Sequence, residues 1–279
     1  MYEILATEQL APVTKLYEVR APAVAQKARA GQFVIIRLDD EGERIPLTIA
    51  DYDRERGTIT LVVQEVGKTT MQMDTLKVGD HLASFTGPLG EPSEIENHGT
   101  VLCVGGGVGI APIYPIARDL KEAGNTVVSI IGARNKDLLF WEDKMRSVSD
   151  ELIVCTDDGS YGRKSLVTIP MKEMLEAGQP IEHIWAIGPA IMMKFCALTT
   201  QPFGVPTTVS LNSIMVDGTG MCGACRVEVG GQTRFVCVDG PEFDGHQVDW
   251  DQLLARQRIY LDQEKQAVEK WQHDCQCGG

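Results

Sequence analysis

The spacing of the cysteines in the last quarter of the chain constrains its fold more than any other feature. Two residues separate Cys222 from Cys225, and 11 residues separate Cys225 from Cys237. Asp217 stands four intervening residues before Cys222, and the stretch from Asp217 to Cys225 is rich in glycine. Thiolates suit soft metal centres, and glycines allow a tight loop to wrap around such a centre. The segment therefore predicts a metal-binding loop.

Asp217, Cys222, Cys225 and Cys237 follow the C-x4-C-x2-C…C spacing of plant-type 2Fe–2S ferredoxins, with Asp in place of the first Cys. A carboxylate oxygen is a harder ligand than a thiolate, but it binds iron. We predict that these four residues hold a 2Fe–2S cluster. A zinc site and a cysteine-rich loop without metal are the alternatives. For the fourth ligand, the alternatives to Asp217 are Cys275, Cys277 and water.

The other cysteines and the start of the chain indicate a reducing compartment. Cys103, Cys155 and Cys196 occur singly in apolar or mixed stretches, which favours small buried side chains. The sequence begins Met-Tyr-Glu, without the basic and apolar regions of a secretory signal. We therefore expect a cytoplasmic protein, in which spaced cysteines serve metal or redox chemistry more often than disulfides.

The charge balance excludes two classes of partner. The 279 residues include 26 Lys+Arg and 39 Asp+Glu, a net charge of −13. Nucleic acids and anionic membrane surfaces both require clustered basic charge.

The longest apolar runs fall far short of the roughly 20 residues that cross a bilayer. With 43% hydrophobic residues, the chain has an ordinary globular composition and the length of about two domains, or three small ones.

Residues 1–97 carry the pattern of a small β barrel. Short apolar runs at 14–19, 33–38, 58–63 and 81–85 are separated by turn residues, with one helical stretch at 69–76. From 98 to 205, strands alternate with helices, which is typical of a parallel, doubly wound α/β sheet. We expect its strands at 100–104, 126–131, 152–156 and 183–187, and its helices at 113–123, 137–148 and 167–177.

The remainder divides into a cysteine-rich module, residues 206–247, and a helix with a tail, residues 248–279. One helix is predicted over about 248–272, because apolar side chains recur at helical spacing. We interpret this stripe as a packing face, with a cofactor site as the alternative. It comprises Trp250, Leu253, Leu254, Gln257, Tyr260, Leu261, Val268 and Trp271. The tail, 273–279, is either a metal ligand set or an unoccupied terminus.

Two further motifs suggest cofactors. The run 105–112, Gly-Gly-Gly-Val-Gly-Ile-Ala-Pro, lies between a strand and a helix, where glycines let a pyrophosphate approach the helix N-terminus. It departs from G-x-G-x-x-G, because position 110 is Ile, so a dinucleotide site of another lineage and a plain tight turn are both open. The run 43–50 places Arg44 before a proline-stiffened strand with a hydroxyl at Thr48. The run could position a phosphate-bearing planar ligand. The alternative is a solvated arginine beside an ordinary strand.

Together, the three motifs resemble those of ferredoxin-reductase-like flavoproteins with an appended 2Fe–2S module, a family that includes the electron-transfer subunit of dihydroorotate dehydrogenase. From residue 1 to about 241 the chain resembles still more closely the small subunits of NADH-dependent reduced ferredoxin:NADP oxidoreductases, also called sulfide dehydrogenase β subunits. Asp at the first ligand position favours this second group. The resemblance implies that the barrel binds FAD, the α/β domain binds NAD(H), and the last module holds the 2Fe–2S cluster.

The resemblance also assigns flavin contacts. Residues 44–49 match the motif R-x-P-[ILFY]-[ST]-[ILA]. Arg44 is thereby placed on the FAD pyrophosphate, and Thr48 near the flavin N5, with the isoalloxazine lying along Pro46, Leu47, Thr48 and Ile49. A second segment, residues 66–70 (Val-Gly-Lys-Thr-Thr), stands where the family has the motif G-x-G-T, which holds the diphosphate. Thr69 takes the place of the second glycine of that motif. Its implied contacts are Val66, Gly67, Thr69 and Thr70.

On the nucleotide side, residues 105–112 match GGG-x-G-x-x-P and residues 156–162 match T-D-D-G-[ST]-x-G. Ile187 stands where many relatives have a Cys, so any role of that thiol is absent. An arginine after the second strand can accept a 2′-phosphate, which leaves NADPH open, although the resemblance favours NADH. The implied contacts are Gly106, Gly107, Gly109, Ile110, Ala111, Pro112, Gly132, Ala133, Arg134, Asp157, Asp158, Gly159, Gly188 and Pro189.

The resemblance implies an oxidoreductase subunit that moves electrons between NAD(P)H, FAD and an iron–sulfur centre. No side chain is required as a catalytic acid or base, because the cofactors carry the chemistry. The implied partner is a large flavoprotein subunit with a second FAD and 4Fe–4S clusters, and the heterodimer would couple NADH, NADPH and ferredoxin by electron bifurcation. The alternatives are the electron-transfer subunit of dihydroorotate dehydrogenase or of a hydrogenase, and a non-catalytic, metal-stabilised interaction module.

Overall fold

The first third of the chain forms a curved antiparallel sheet. The computed structural model describes residues 2–277, and it describes side chains as far as residue 273. Two short helices, α1 (Pro22–Ala25) and α2 (Lys68–Asp74), accompany the sheet. Its strands are β1 (Tyr2–Ala11), β2 (Thr14–Arg20), β3 (Phe33–Arg37), β4 (Ile45–Asp53), β5 (Thr58–Gln64), β6 (His81–Leu82) and β7 (Ser84–Leu89).

The strand order β6-β1-β2-β5-β4-β3-β7 brings the sheet almost into a closed barrel. The two edge strands, β6 and β7, are separated only by Ala83, whose amide donates to Leu38 at the end of β3 (3.3 Å). The edges therefore meet, and the strands enclose a core that includes Ile4, Ile36, Ile49 and Leu61, all with 0% exposure. This confirms the predicted barrel fold.

The middle of the chain forms the predicted doubly wound sheet. Gly107–Gly109 forms a single 3-10 turn between its first strand and first helix. The elements are β8 (Thr100–Gly106), α3 (Ile110–Glu122), β9 (Thr126–Ala133), α4 (Glu142–Ser147), β10 (Glu151–Thr156), β11 (Arg163–Lys164), α5 (Thr168–Glu176), β12 (Ile181–Ile187), α6 (Ala190–Thr200) and β13 (Thr207–Ser210).

The order of this second sheet is β11-β10-β9-β8-β12-β13-β16, and β8 pairs in parallel with both β9 and β12. The chain first proceeds from β8 to one side and then returns to the other side of β8. The carboxyl ends of β8 and β12 therefore form the topological switch point, where open α/β sheets bind their ligands.

The last part of the chain extends this sheet. β16 (Glu242–Asp244) pairs antiparallel with β13, and the preceding hairpin shares an apolar core with β3 of the barrel. This part consists of β14 (Arg226–Val229), β15 (Gln232–Phe235), α7 (Val236–Asp239), β16, α8 (Trp250–Arg256) and α9 (Leu261–Cys277). No helix among the described residues is long and apolar enough to cross a membrane.

Two predicted helices differ from the structure. The helix expected at 137–148 is shorter, because Trp141 adopts a left-handed conformation (φ +57°) and α4 starts only after it. The single helix expected at 248–272 is divided into α8 and α9. The side chains at the end of α8 bind two other segments of the chain. Arg256 donates to the Ala224 carbonyl (3.0 Å), and Gln257 donates to the Asn212 carbonyl (2.9 Å).

The predicted single packing stripe is consequently wrong. Trp250 and Leu253 of α8 are buried, whereas Tyr260 and Leu261, just beyond the break, are exposed. The three cysteines interpreted as small buried side chains, Cys103, Cys155 and Cys196, are all fully buried, which confirms that prediction. The side chains of Cys275 and Cys277 lie outside the described residues.

Glu242 lies where all three parts of the chain meet. Its carboxylate accepts hydrogen bonds from the Ser93 hydroxyl (2.5 Å), in the connection after the barrel, and from the Trp185 indole on β12 (3.3 Å). Burial of the Glu242 carboxyl group raises its pKa to about 7. The folded chain therefore binds a proton more tightly at Glu242 than the unfolded chain does.

This predicts a pH-dependent contribution of Glu242 to stability. The contribution is complete below the unfolded pKa of about 4.3 and is lost as the pH rises through about 7. The stability of the wild type relative to Glu242→Gln should therefore fall by on the order of 2 kcal/mol from pH 5 to pH 7.5. Urea unfolding at several pH values measures this difference. The exposed Glu91→Gln provides the control, and parallel pH curves for wild type and Glu242→Gln would contradict the prediction.

Candidate cofactor site

A cleft of about 440 Å³ opens at the switch point between β8 and β12. Its walls come from three separately predicted motifs. They contribute Pro46 and Thr48 from β4, Gly109 and Pro112 from the turn into α3, and Gly188 and Pro189 from the turn after β12. The fold thus brings the barrel motif and two nucleotide motifs to one cavity.

Strand pairing fixes the orientation of the barrel motif. In the antiparallel ladder, Thr48 stands opposite Phe33 and Pro46 opposite Ile35. Ile49 is buried in the barrel core, whereas Pro46, Leu47 and Thr48 remain half-buried and Arg44, just before the strand, is exposed. The motif therefore presents a cation at its start and a partly open strand along the cleft.

The turn into α2 is connected to the same motif. The Thr70 hydroxyl accepts hydrogen bonds from the amides of Val66 (2.9 Å) and Gly67 (3.0 Å), which shapes the turn. Thr69, which replaces a family glycine, is only 5% exposed and donates to the Glu43 carboxylate (2.6 Å). The substitution at Thr69 thus ties this turn to the residue that precedes Arg44.

The glycine run makes a close approach to the turn after β12. A Cβ atom on Gly109 would lie 2.2 Å from the Ile187 carbonyl oxygen and 2.7 Å from Gly188 Cα. Because Gly109 has a right-handed backbone (φ −63°), this requirement for glycine is steric. Ile110 and Ala111 are buried and anchor the first turn of α3 against the sheet. The two nucleotide turns are consequently in direct backbone contact.

The Asp157–Asp158 loop contacts the end of β9. The Asp157 amide donates to the Ala133 carbonyl (3.1 Å) and the Asp158 amide to the Arg134 carbonyl (3.2 Å). Asp157, Asp158 and Arg134 are all exposed, and Gly132 and Gly159 lie within the same two segments. The structure therefore gathers these predicted residues at one edge of the sheet, with charges of both signs open to solvent.

In the predicted cluster loop, Asp217 binds backbone amides. Its two carboxylate oxygens accept hydrogen bonds from the Thr219 amide (2.7 Å) and the Cys222 amide (2.8 Å), which lower the pKa of Asp217. The Cys225 and Cys237 sulfur atoms lie 3.3 Å apart and both residues are buried, whereas Cys222 is exposed. Within the part of the chain that the structure describes, no three His, Cys, Asp or Glu side chains converge as a metal site.

The cluster loop rests on the barrel. Gly218 has a left-handed backbone (φ +75°), and a Cβ atom there would lie 2.7 Å from Ile35 Cγ1 and 3.0 Å from Leu89 Cδ1. Ile35 belongs to β3, which pairs directly with the motif strand β4. One strand therefore separates the cluster loop from the barrel motif.

Several cleft residues were missed in the sequence. Gln64 ends β5, and the segment from Ser210 to Ser213, with Met215, precedes the cluster loop. The Ser213 hydroxyl is buried and has no hydrogen-bond partner among the described residues. These residues belong to no motif. Gln64 is identified by the position of β5 in the barrel, and the others by the packing of the last module against the cleft.

Models of three domain families match the chain in this order. Residues 2–93 match the oxidoreductase FAD-binding domain, residues 103–197 the oxidoreductase NAD-binding domain, and residues 212–249 the iron–sulfur cluster binding domain of dihydroorotate dehydrogenase B. The fold and the site thus define an oxidoreductase with FAD-binding, NAD-binding and iron–sulfur-binding domains.

Whole-chain relatives make the assignment more specific. The dihydroorotate dehydrogenase B electron transfer subunit homolog of Thermotoga maritima is 54% identical over 269 residues, covering 96% of this chain and 95% of the relative. The electron transfer subunit of Desulforamulus reducens is 32% identical, covering 89% and 97%. A chain in a solved NADH-dependent reduced ferredoxin-NADP oxidoreductase, studied for flavin-based electron bifurcation, superposes with a TM-score of 0.92 at 52% identity, covering 97% and 98%.

The chain therefore belongs to the family of dihydroorotate dehydrogenase B electron transfer subunits and their homologues. The resemblance to this family and to NADH-dependent reduced ferredoxin:NADP oxidoreductases, inferred from the three motifs, is confirmed.

The contact between the two nucleotide turns predicts the effect of Gly109→Ala. The new methyl group would overlap the Ile187–Gly188 backbone, so the turns must separate and the cleft must change shape. We expect at least a tenfold loss of nucleotide affinity, measured by titration of the FAD-loaded protein. Gly178→Ala is the control, because its Cβ would meet no atom within 4 Å, although its left-handed backbone (φ +70°) disfavours alanine. This control should lose about 1–2 kcal/mol of stability and keep its affinity. Equal affinities in all three proteins would contradict the prediction.

Proposed function

We propose that this chain is the electron-transfer subunit of an electron-bifurcating NADH/ferredoxin:NADP transhydrogenase, passing electrons between NAD(H), FAD and a 2Fe–2S cluster. One observation carries the proposal: Thr48, Gly109 and Gly188 line a single cleft, and the cluster loop contacts Ile35 on the strand next to it. Such an arrangement suits three redox centres in series. We propose the division 1–97, 98–205, 206–247 and 248–279 for the parts that carry them.

The barrel residues fit a flavin. Arg44 would bind its pyrophosphate from the exposed start of the motif, and Thr48 would lie near its N5 with Pro46, Leu47 and Ile49 along the ring. Val66, Gly67, Thr69 and Thr70 would shape the turn at the diphosphate. When bound, FAD exchanges a hydride with a nicotinamide and single electrons with an iron–sulfur cluster.

The α/β residues fit a dinucleotide that extends from the cleft to the sheet edge. The turn formed by Gly106, Gly107 and Gly109 would receive the pyrophosphate, because α3 starts there with Ile110, Ala111 and Pro112 and presents free amides. Gly188 and Pro189 would flank the nicotinamide in the cleft. The ribose and adenine would lie against Gly132, Ala133, Arg134, Asp157, Asp158 and Gly159. Asp157 and Asp158 suit a ribose hydroxyl and Arg134 suits a 2′-phosphate, so the choice of NADH over NADPH rests on the resemblance.

The cysteine loop fits an iron–sulfur cluster through its donor set. Cys225 and Cys237 place two sulfur atoms side by side, and Cys222 lies on the same glycine-rich loop. Asp217 occupies the first ligand position in sequence. To bind iron, its carboxylate would exchange at least one of its amide hydrogen bonds for the metal, and the liberated Cys222 or Thr219 amide could donate to a sulfide instead.

We propose a large flavoprotein subunit, with its own FAD and 4Fe–4S clusters, as the partner, with ferredoxin reached through the complex. Apart from Cys222, Cys225 and Cys237, which are assigned to the 2Fe–2S cluster, the cysteines whose side chains the structure describes occur singly, so a partner would have to supply the 4Fe–4S centres. A cytoplasmic location is part of the proposal, since free thiols suit a reducing compartment. The second candidate, an electron-transfer subunit serving a dihydroorotate-oxidising enzyme, rests on the match of residues 212–249 to that domain family.

The function is tested on the chain purified anaerobically from a native host, with any bound partner. We expect flavin and iron–sulfur absorbance, bleaching by NADH, and a co-purifying flavoprotein with 4Fe–4S clusters that reduces NADP when NADH and reduced ferredoxin are supplied. A partner that oxidises dihydroorotate would support the second candidate instead. A colourless chain would refute both and favour a metal-stabilised interaction module.

Substitution of Asp217 tests the fourth ligand. We expect Asp217→Ala to lose most of its iron and acid-labile sulfide, and Asp217→Cys to keep the cluster with a changed electron paramagnetic resonance spectrum. Asp217→Asn separates ligation from loop shape, because an amide oxygen retains acceptor capacity for the loop amides but is a poorer iron ligand. Asp239→Ala is the control outside the ligand set. An Ala variant with full cluster content and an unchanged spectrum would assign the fourth position to another group.

A further inference from the structure

A network of charged residues joins the barrel to the α/β domain along a groove of about 1180 Å³, which shares no lining residue with the cleft. Asp51, on β4, has a separate cation for each carboxylate oxygen. Arg118 Nη1 of α3 lies 2.6 Å from Oδ1, and Lys144 Nζ of α4 lies 2.9 Å from Oδ2. Arg118 Nε also binds Asp119, at 2.9 Å. The Asp51 carboxylate is thereby fixed in orientation as well as in position.

Aromatic rings enclose this network. The Arg118 guanidinium lies 5.0 Å from the centre of the Tyr52 ring, and the Lys144 ammonium lies 4.3 Å from Tyr114 and 4.1 Å from Trp141. Trp141 is the one non-glycine residue with positive φ among the described residues. It directly precedes α4, the helix that carries Lys144. The side chains of Asp51 and Arg118 are each 22% exposed, so water screens this pair less than a surface pair.

The elements that carry the network also carry the cofactor motifs. Asp51 lies two residues beyond Ile49, the end of the barrel motif, on the same strand. Between them the ladder with β5 has a register shift, a feature that re-aims side chains. Arg118 lies on α3, the helix that starts at the nucleotide turn. Beneath the charges, Ala50 of β4 packs in one core with Ile110 and Ile113 of α3.

We infer that Asp51, Arg118 and Lys144 form a brace that sets the distance between the flavin-binding strand and the nucleotide-binding helix. This inference rests on the proposed function. The covalent connection between the two domains, residues 91–98, forms no helix or strand, so their relative position depends on this interface, where the charges lie over the apolar core around Ala50. Hydride transfer requires reacting atoms about 3–3.5 Å apart, and a misplacement of 1 Å can cost about 100-fold in rate. None of the three residues lines the cleft, so they are positioning residues.

The test compares Asp51→Ala, Asp51→Asn and Lys144→Ala with wild type in the FAD-loaded protein. Stopped-flow reduction by NADH separates the limiting rate from the nucleotide Kd. We expect Asp51→Ala to lower the limiting rate at least tenfold and to change Kd less than threefold, with full FAD content. Asp51→Asn, which keeps an acceptor for Arg118, should recover part of the rate. An unchanged limiting rate, or a loss explained by Kd or FAD content, would overturn the inference.

Arg56→Ala provides the matched control. Arg56 makes a bidentate ion pair with Glu18, in which its Nη1 and Nη2 lie 2.9 and 2.5 Å from the two carboxylate oxygens. Both residues line the same groove as Asp51, but both belong to the barrel. Its loss should leave the limiting rate within twofold of wild type. An equal loss of rate in Arg56→Ala and Asp51→Ala would make the effect one of general stability and overturn the inference.

Hydrogen exchange supplies a readout that does not depend on activity. The amides of Glu91 and Ser93, in the connection between the domains, donate to Gly240 and Ala30. We expect both to exchange faster in Asp51→Ala and to remain protected in Arg56→Ala. Unchanged protection in Asp51→Ala would overturn the brace. If neither NADH nor NADPH reduces the wild-type protein, the proposed function is refuted but the brace is not. Hydrogen exchange in Asp51→Ala would then still test whether the brace holds the two domains together.

Discussion

The contact between Gly218 and the barrel strand β3 is the constraint on which the rest of the arrangement depends. A side chain at this position would overlap Ile35, and a left-handed backbone there disfavours any residue with a Cβ. Because β3 also pairs with β4, the cluster loop and the barrel motif share one strand as their common wall. Neighbouring strands lie about 4.8 Å apart, so β3 holds the cluster loop close to the barrel motif.

The cleft depends on a second contact of the same kind. Gly109 lets the turn into α3 touch the backbone after β12, and both turns belong to the rigid centre of the parallel sheet. Such sheets bind ligands where the strand order reverses, and in this chain the barrel supplies the opposite wall. The site is consequently built between domains, and the last module completes it with Ser213 and Met215.

The parts of this structure that could be predicted from sequence are those set by local chemistry. The alternation of strands and helices, the run 105–112 and the cysteine spacing each depend on neighbouring residues, and each predicted the correct fold or domain family. The break after Arg256 could not be predicted, because the side chains at this point bind Ala224 and Asn212, which are distant in sequence. The same holds for the left-handed Trp141, whose ring contacts Tyr114 and Lys144. The capping of the loop amides by Asp217 is local, but the ferredoxin-like spacing alone does not distinguish a cap from a ligand.

The proposed chemistry explains why glycines and ion pairs, rather than acids and bases, occupy the decisive positions. Hydride and electron transfer require no proton from a side chain, so the chain contributes by controlling distances. Gly109 and Gly218 allow close approach between segments of the chain. The ion pair of Asp51 with Arg118 restrains the α/β domain, which carries the turn at Gly109. A carboxylate that binds one cation through each of its two oxygens suits this task better than an apolar contact, because it fixes direction as well as separation. The apolar core around Ala50 then supplies attraction between the domains, and the charges above it specify how the domains are oriented.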